Sequence, residues 1–354
     1  MLKPSTLDLL KRMIAFRPVS ADLAAVNQLA DFVSQYLQEA GVHTEVLDHE
    51  GRRGLYAATR PERQTDVLFN AHLDVVPGND QQFEPRLEGD WLVGRGTHDC
   101  LGNAAMLIHL LIRFRDRASI GAIFTTDEEI GGETTRAMVE RGYRGRRLIL
   151  VVDGSGYSIV VAQKGMLVVR LRATGLGCHA AEPWKGKNAI DLLIDGYQRI
   201  RNLFPTVTPP DEWHNTLAPT VLAAGNVHNR IPDQAEMTLN IRLTEGTDAD
   251  AIQDQLAALS GLSVVREMAC PPVFTDPDHP ELRALAEHMA AHLGREIAIK
   301  RSNGATDARH FVELGVPIAI IGVPGRDLHG DNEALDLTAL ADYEEMLAAY
   351  IGDD

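Results

Sequence analysis

Three cysteines among 354 residues, Cys100, Cys178 and Cys270, are odd in number and widely spaced, so they form no disulfide framework and read as free thiols. That usage fits a reducing compartment, and a cytoplasmic location is expected. The chain also lacks any apolar run near the ~20 residues that a membrane span needs. Its first residues, MLKPSTLDLLKRMIAF, set Asp8, Lys11 and Arg12 among Leu7, Leu10 and Ile14, which predicts an amphipathic helix capped near Ser5 rather than a signal peptide. Basic residues are in deficit: 34 Lys and Arg against 50 Asp and Glu give a formal net charge of −16. Such a charge repels phosphate backbones and anionic lipid, so nucleic acid and membrane surfaces are poor candidate partners. Internal repeats and low-complexity tracts are absent as well.

What the chain does have is apolar material, 45% of its residues, and a length that suits two domains without staples. Apolar runs ending at VLFNAHLD, GAIFTTDEE and RLILVVDGS read as buried strands, with helical patterns such as GNAAMLIHLLIRF and ETTRAMVERG between them. Alternating strand and helix predicts a doubly wound α/β domain. After Gly165 the order becomes βαββαβ, through MLVVRLRAT, NAIDLLIDGYQRIRNLF, TVLAAGNV, AEMTLNIRL, DADAIQDQLAAL and LSVVREMA. The expected organisation is therefore a split catalytic domain, residues 1–164 and 276–354, with a ferredoxin-like domain inserted at 165–275.

The strands end in unusual company. In FNAHLDVVPG, His72 and Asp74 stand two apart and so share one side of the sheet edge. Asp99 follows in GRGTHDCLGN, Glu128 and Glu129 in TTDEEIGG, Asp153 in VVDGSG and His329 in DLHGDNEA. Open α/β sheets place ligands at this carboxyl edge. So many carboxylates cannot stay ionised together without a cation, and imidazole mixed with carboxylate is ligation typical of Zn²⁺ or Co²⁺.

The order His-x-Asp, Gly-Arg-Gly-x-x-Asp, Glu-Glu, Asp/Glu and a late His resembles the zinc amidohydrolases and metallopeptidases that include acetylornithine deacetylase, succinyl-diaminopimelate desuccinylase, glutamate carboxypeptidase, aminoacylase and related dipeptidases. The resemblance runs over essentially the whole chain. It implies two zinc ions per chain, with Co²⁺ or Mn²⁺ as substitutes, bridged by Asp99. His72 and Asp153 would hold one metal, and Glu129 and His329 the other. Glu128 would be the general base, and Asp74 the carboxylate that fixes the tautomer of His72. One departure is HDCLGN, where the family usually continues Asp-Met-Lys-Gly. His98 and Cys100 flank Asp99, and either is able to bind zinc, but only a carboxylate bridges two cations through both oxygens. Cys100 then reads as a small buried residue. The helical pair His288 and His292 lacks the glutamate of the zincin signature.

In the inserted domain GLGCHAAEP matches the family's Gly-x-x-His-Ala/Ser signature. This implies that His179 reaches across a homodimer, formed through that domain, to stabilise the oxyanion in the partner's site. NRIPDQAEMTLNIRL makes Asn229 and Arg242 candidates for polarising the carbonyl and holding a substrate carboxylate. SNGATDARHF matches a glycine-rich loop that lies against substrate, with Gly304, Thr306 and Arg309 as lining candidates. The resemblance implies amide hydrolysis of a small N-acyl amino acid or short peptide by metal-activated water. Aspartate at position 153 leans toward the peptidases, whereas the short chain and compact insert look more like the deacylases. Two other classes compete. A non-catalytic binding member of the fold predicts loss of Glu128 or a ligand, and neither is lost. A cysteine nucleophile at Cys100 paired with His98 fails because adjacent residues on an extended chain point to opposite faces.

Overall fold

The computed structural model describes residues 4–352, with side chains from residue 6 onward. The first helix, Pro4–Ile14, is present, while the side chain of Ser5, its expected cap, lies outside the described residues. No described helix is long and apolar enough to cross a membrane. Two compact units divide the chain: Met1–Val161 with Phe274–Arg301 and Thr306–Asp354, and Ala162–Val273 with Ser302–Ala305. The short Ser302–Ala305 segment differs from the sequence expectation by grouping with the second unit. There the Lys164 N–H donates to the carbonyl of Ser302 over 3.3 Å.

In the first unit the apolar runs become the parallel centre of a mixed sheet, in the order Ile120–Thr125, Gln64–His72, Arg144–Val151 and Ile318–Ile320. All six residues of Ile120–Thr125 are buried, as a strand covered on both faces requires. One edge is completed by the antiparallel pair His43–His49 and Arg52–Ala58. The helices Leu101–Arg113 and Leu337–Gly352 contribute their apolar faces to the core, with Met106, Leu110, Leu340 and Leu347 fully or almost fully buried. Register fixes the functional edge. His72 pairs with Thr125, and Asn70 with Val151, so these strands finish side by side. The residues that follow them leave the sheet at one address.

The second unit is an antiparallel four-stranded sheet in the order Thr216–Ala224, Gln234–Leu243, Gly165–Thr174 and Ser263–Cys270, with helices Ala189–Ile200 and Ala249–Ser260. Its two central strands alternate. Leu167, Val169 and Leu171, with Leu239 and Ile241, face the helices and are fully buried. The edge strand Thr216–Ala224 is exposed from Ala218 onward, including Val221 and Leu222.

Candidate metal centre

His72 is the last residue of its strand, and its side chain is held at both ring nitrogens. Nδ1 lies 2.9 Å from the main-chain carbonyl of Asp74, which can only accept, so Nδ1 carries a proton and Nε2 is the ring nitrogen turned to the carboxylates. Nε2 faces Asp99 Oδ1 at 2.9 Å and Asp153 Oδ1 at 3.8 Å. The other oxygen of Asp99, Oδ2, lies 2.9 Å from Nε2 of His329, which is itself 3.3 Å from Glu129 Oε1. Asp99 thus turns one oxygen to each of two imidazoles. Within the first unit the fold brings together five of the sequence-predicted ligands, His72, Asp99, Glu129, Asp153 and His329, and sets Glu128 beside them on the chain.

Donor atoms of Asp99, Glu129 and His329 all lie within 4.8 Å of one another, as do those of His72, Cys100 and Asp153. Carboxylates gathered around two imidazoles, and a buried Glu129 Oε1 without a hydrogen-bond donor, are what a cation would satisfy. Oxygen and imidazole nitrogen are suitable ligands for a divalent metal.

The electrostatics follow from burial. It raises the carboxyl of Glu129 to about 7 and that of Asp153 to about 6. Burial, followed by the charge of Asp153, pushes Glu128 well above the ordinary glutamate range. Burial works the same way on Asp99, but hydrogen bonds with His329 and His72 overcome it and hold this carboxyl well below the usual range. For His72, burial disfavours the charged ring, yet Cys100, Asp153, Asp74 and Asp99 together raise its pKa. A site that pulls protons onto its bases when empty is one that a metal would displace them from.

Asp74 takes a broader part than orienting an imidazole. Its carboxylate is 3.6 Å from His72 Nδ1, beyond hydrogen-bond reach, and the orienting contact is its own carbonyl. The carboxylate instead accepts the N–H of Glu128 at 3.1 Å, the N–H of Glu129 at 3.3 Å and the hydroxyl of Ser20 at 2.7 Å. One buried side chain therefore fixes the main chain under both the expected base, Glu128, and an expected ligand, Glu129. Asp307 supports the same loop from the other side, accepting from Thr125 Oγ1 at 2.9 Å and Thr135 Oγ1 at 2.5 Å. Gly132 lies so close that a Cβ there would fall 2.0 Å from Asp307 Oδ1, and its φ of +68° also favours glycine.

The flanking residues are structural in their contacts. Cys100 is fully buried, and its thiol donates to the carbonyl of His72 at 3.6 Å while accepting the His72 N–H at 3.4 Å. Burial pushes its pKa up to about 12, so it is no thiolate nucleophile at neutral pH. The ring of His98 packs on Gly325, where a Cβ would fall 2.2 Å from its Cγ, and neither ring nitrogen has a hydrogen-bond partner. Burial lowers its pKa. His288 Nε2 donates to the Met346 carbonyl over 3.1 Å, and its ring stacks on His292. Both belong to helix packing.

Of the remaining candidates, Thr306 is buried in the first unit and caps the turn at Asp307–Leu314, accepting from the Ala308 N–H at 3.2 Å. His179, Asn229, Arg242 and Gly304 belong to the second unit. His179 is exposed and accepts the Ala181 N–H at Nδ1 over 3.1 Å. Asn229 is exposed, and its carbonyl accepts from Ala180. Arg242 is half-buried, its Nε donating to Asn240 at 3.1 Å, and Gly304 is exposed. Sequence reasoning assigned no role to Ser20, Arg95, Asp307 or Glu333. The only signals were Arg95 between two glycines and Glu333 four residues beyond His329.

Residues 68–353 match the peptidase family M20/M25/M40. The chain belongs to that family. A succinyl-diaminopimelate desuccinylase from Alkalilimnicola ehrlichii is 29% identical to it, over 98% of this chain and 99% of the relative. Among solved structures, the aminopeptidase PepT of Bacillus cereus superposes with a TM-score of 0.79 at 19% identity, covering 99% of both chains. The YXEP protein of Bacillus subtilis, described as a dinuclear metal-binding peptidase of the M20 family, has a TM-score of 0.66 at 17% identity over 98% of this chain and 99% of its own. Membership makes this M20/M25/M40 protein an amide-bond hydrolase of the metallopeptidase class, with the α/β fold described above.

Proposed function

We propose that this M20/M25/M40 protein is a cytoplasmic di-zinc hydrolase that cleaves the amide bond of a small N-acyl amino acid or short peptide. The observation that carries the reading is Asp99, whose two oxygens each lie 2.9 Å from a different imidazole, His72 and His329. His72 and Asp153 would complete one metal site around that bridge, and Glu129 and His329 the other. Zinc bound there would polarise the scissile carbonyl and acidify the attacking water. Glu128 takes the proton of that water and passes it to the leaving amine. Its raised pKa, caused by burial and Asp153, suits a group that must hold a proton between two steps.

Asn229, Arg242, Gly304 and Thr306 are assigned to substrate, with Arg242 suited to a carboxylate. His179 is assigned to the oxyanion in the site of a second copy. The exposed edge strand Thr216–Ala224, with Val221 and Leu222 at 58% and 67% exposure, supports a homodimer through the second unit.

The test is metal analysis of the purified protein, followed by a panel of N-acetyl amino acids, N-succinyl amino acids and dipeptides assayed with and without a chelator. Two zincs per chain and chelator-sensitive turnover of one panel class are expected, and that class separates deacylase from peptidase. Turnover that persists after complete metal removal would overturn the reading.

A further inference from the structure

Arg95 and Glu333 form an ion pair of 2.6 Å, Nη1 to Oε2, in which the two side chains are only 3% and 1% exposed. Its further side-chain hydrogen bonds go to main-chain atoms. The remaining carboxylate oxygen, Glu333 Oε1, accepts the main-chain N–H groups of His98 and Asp99, each at 3.1 Å. The remaining fork of Arg95, Nη2, donates to the main-chain carbonyl of His329 at 3.1 Å. One buried pair thereby holds the backbone of the bridging aspartate and the backbone of the second imidazole at the same time.

The two imidazoles depend on such help unequally. His72 ends a strand of the parallel sheet and has its ring fixed by the Asp74 carbonyl. His329 sits in a loop at φ 61°, left-handed space that non-glycine residues seldom occupy, and its side chain is 47% exposed. Its loop is tied down by carbonyl contacts, with Arg95 on His329 and Gln82 Nε2 on Gly330 at 3.1 Å. We propose that the Arg95–Glu333 pair is a positioning device for the second metal site, fixing the Asp99 backbone against that of His329, so that the site of Asp99, Glu129 and His329, held by the pair at two of its members, depends on it more strongly than the site that His72 and Asp153 complete around the same bridge. The inference rests on the two-metal reading given above.

The experiment is calorimetric titration of the metal-free full-length chain with Zn²⁺ and with Co²⁺, alongside melting of the metal-free protein. It uses Glu333→Gln, Arg95→Lys and the double variant Arg95→Met/Glu333→Gln, which removes both charges and leaves neither unpaired. Two binding steps are expected throughout, with one weakened about 10- to 100-fold, the usual effect of losing an outer partner of a ligand. In a His329→Ala background, which retains the first site, Glu333→Gln should weaken the remaining step less than it weakens the second step of the parent. Two steps in the parent that weaken equally in the variants, or stay as they were, would overturn the inference while leaving the metal reading intact. A parent chain that binds fewer than two metals would overturn both.

Discussion

Asp74 joins the two halves of the expected chemistry by accepting the main-chain N–H of Glu128 at 3.1 Å while its own carbonyl, 2.9 Å from Nδ1, fixes the ring of His72. Replacing its carboxylate changes the first of these relations and leaves the second. In Asp74→Asn, an amide NH₂ must face an N–H group or the Ser20 hydroxyl, and the loop carrying Glu128 and Glu129 loses an acceptor. Turnover should fall about 10- to 100-fold, the range for outer partners of a metal site. Steady-state kinetics beside metal content checks this, and unchanged turnover would show that the loop is held by other means.

Glu128→Gln isolates proton transfer. The amide is nearly isosteric but cannot accept a proton from water, and no role in ligation is assigned to Glu128. Retention of both metals with a loss of turnover of at least ~10² to 10⁴ is expected. Near-normal rates with metal still bound would remove Glu128 from the mechanism.

Metal affinity should rise with pH across the neutral range. Burial holds Glu129 at about 7 and Asp153 at about 6 in the metal-free protein, and each must be ionised to bind a cation. The sign is fixed: as pH falls through these values protons occupy the ligands, binding weakens, and each metal bound displaces more protons. Calorimetry at pH 6 and pH 8 in buffers of different ionisation enthalpy measures the release directly. Equal proton release at both pH values would show that these carboxyls are already ionised in the empty site.

The assignment of His179 to a second copy predicts complementation. His179→Ala should keep both metals and lose rate, whereas Asp99→Ala should lose metal. Each mixed dimer of the two would contain one site with intact ligands from one chain and an intact histidine from the other. With random exchange, about a quarter of wild-type activity should return, because half the dimers are mixed and each has one complete site of two. No recovery after confirmed subunit exchange would place His179 in its own chain's site or outside the chemistry.

The strand ends that carry the expected ligands were legible because strand chemistry is local: an apolar run that stops in His, Asp or Glu marks a candidate functional edge within a few residues. The βαββαβ order of the second unit was legible for the same reason, through period-two burial in Gly165–Thr174 and Gln234–Leu243. The Arg95–Glu333 pair was not, since its members lie 238 residues apart and nothing in either neighbourhood names the other. Asp74 was read as a carboxylate acting on His72, two residues away. The structure gives that contact to the carbonyl and sends the carboxylate to a loop 54 residues later, a partner that only tertiary folding supplies. Similarly, the pattern alone could not tell whether His98 joined the centre, whereas its ring is now seen packed on Gly325.

The two imidazoles that face Asp99 stand 27 residues before it and 230 residues after it. During synthesis, a ribosome will therefore have released one imidazole, Asp99, Glu129 and Asp153 long before it reaches the other. A nascent chain stopped short of residue 329 has one set of donors available and cannot assemble the second. Occupancy of the proposed second site would thus be a sign that almost the whole polypeptide has been made and folded back onto its beginning.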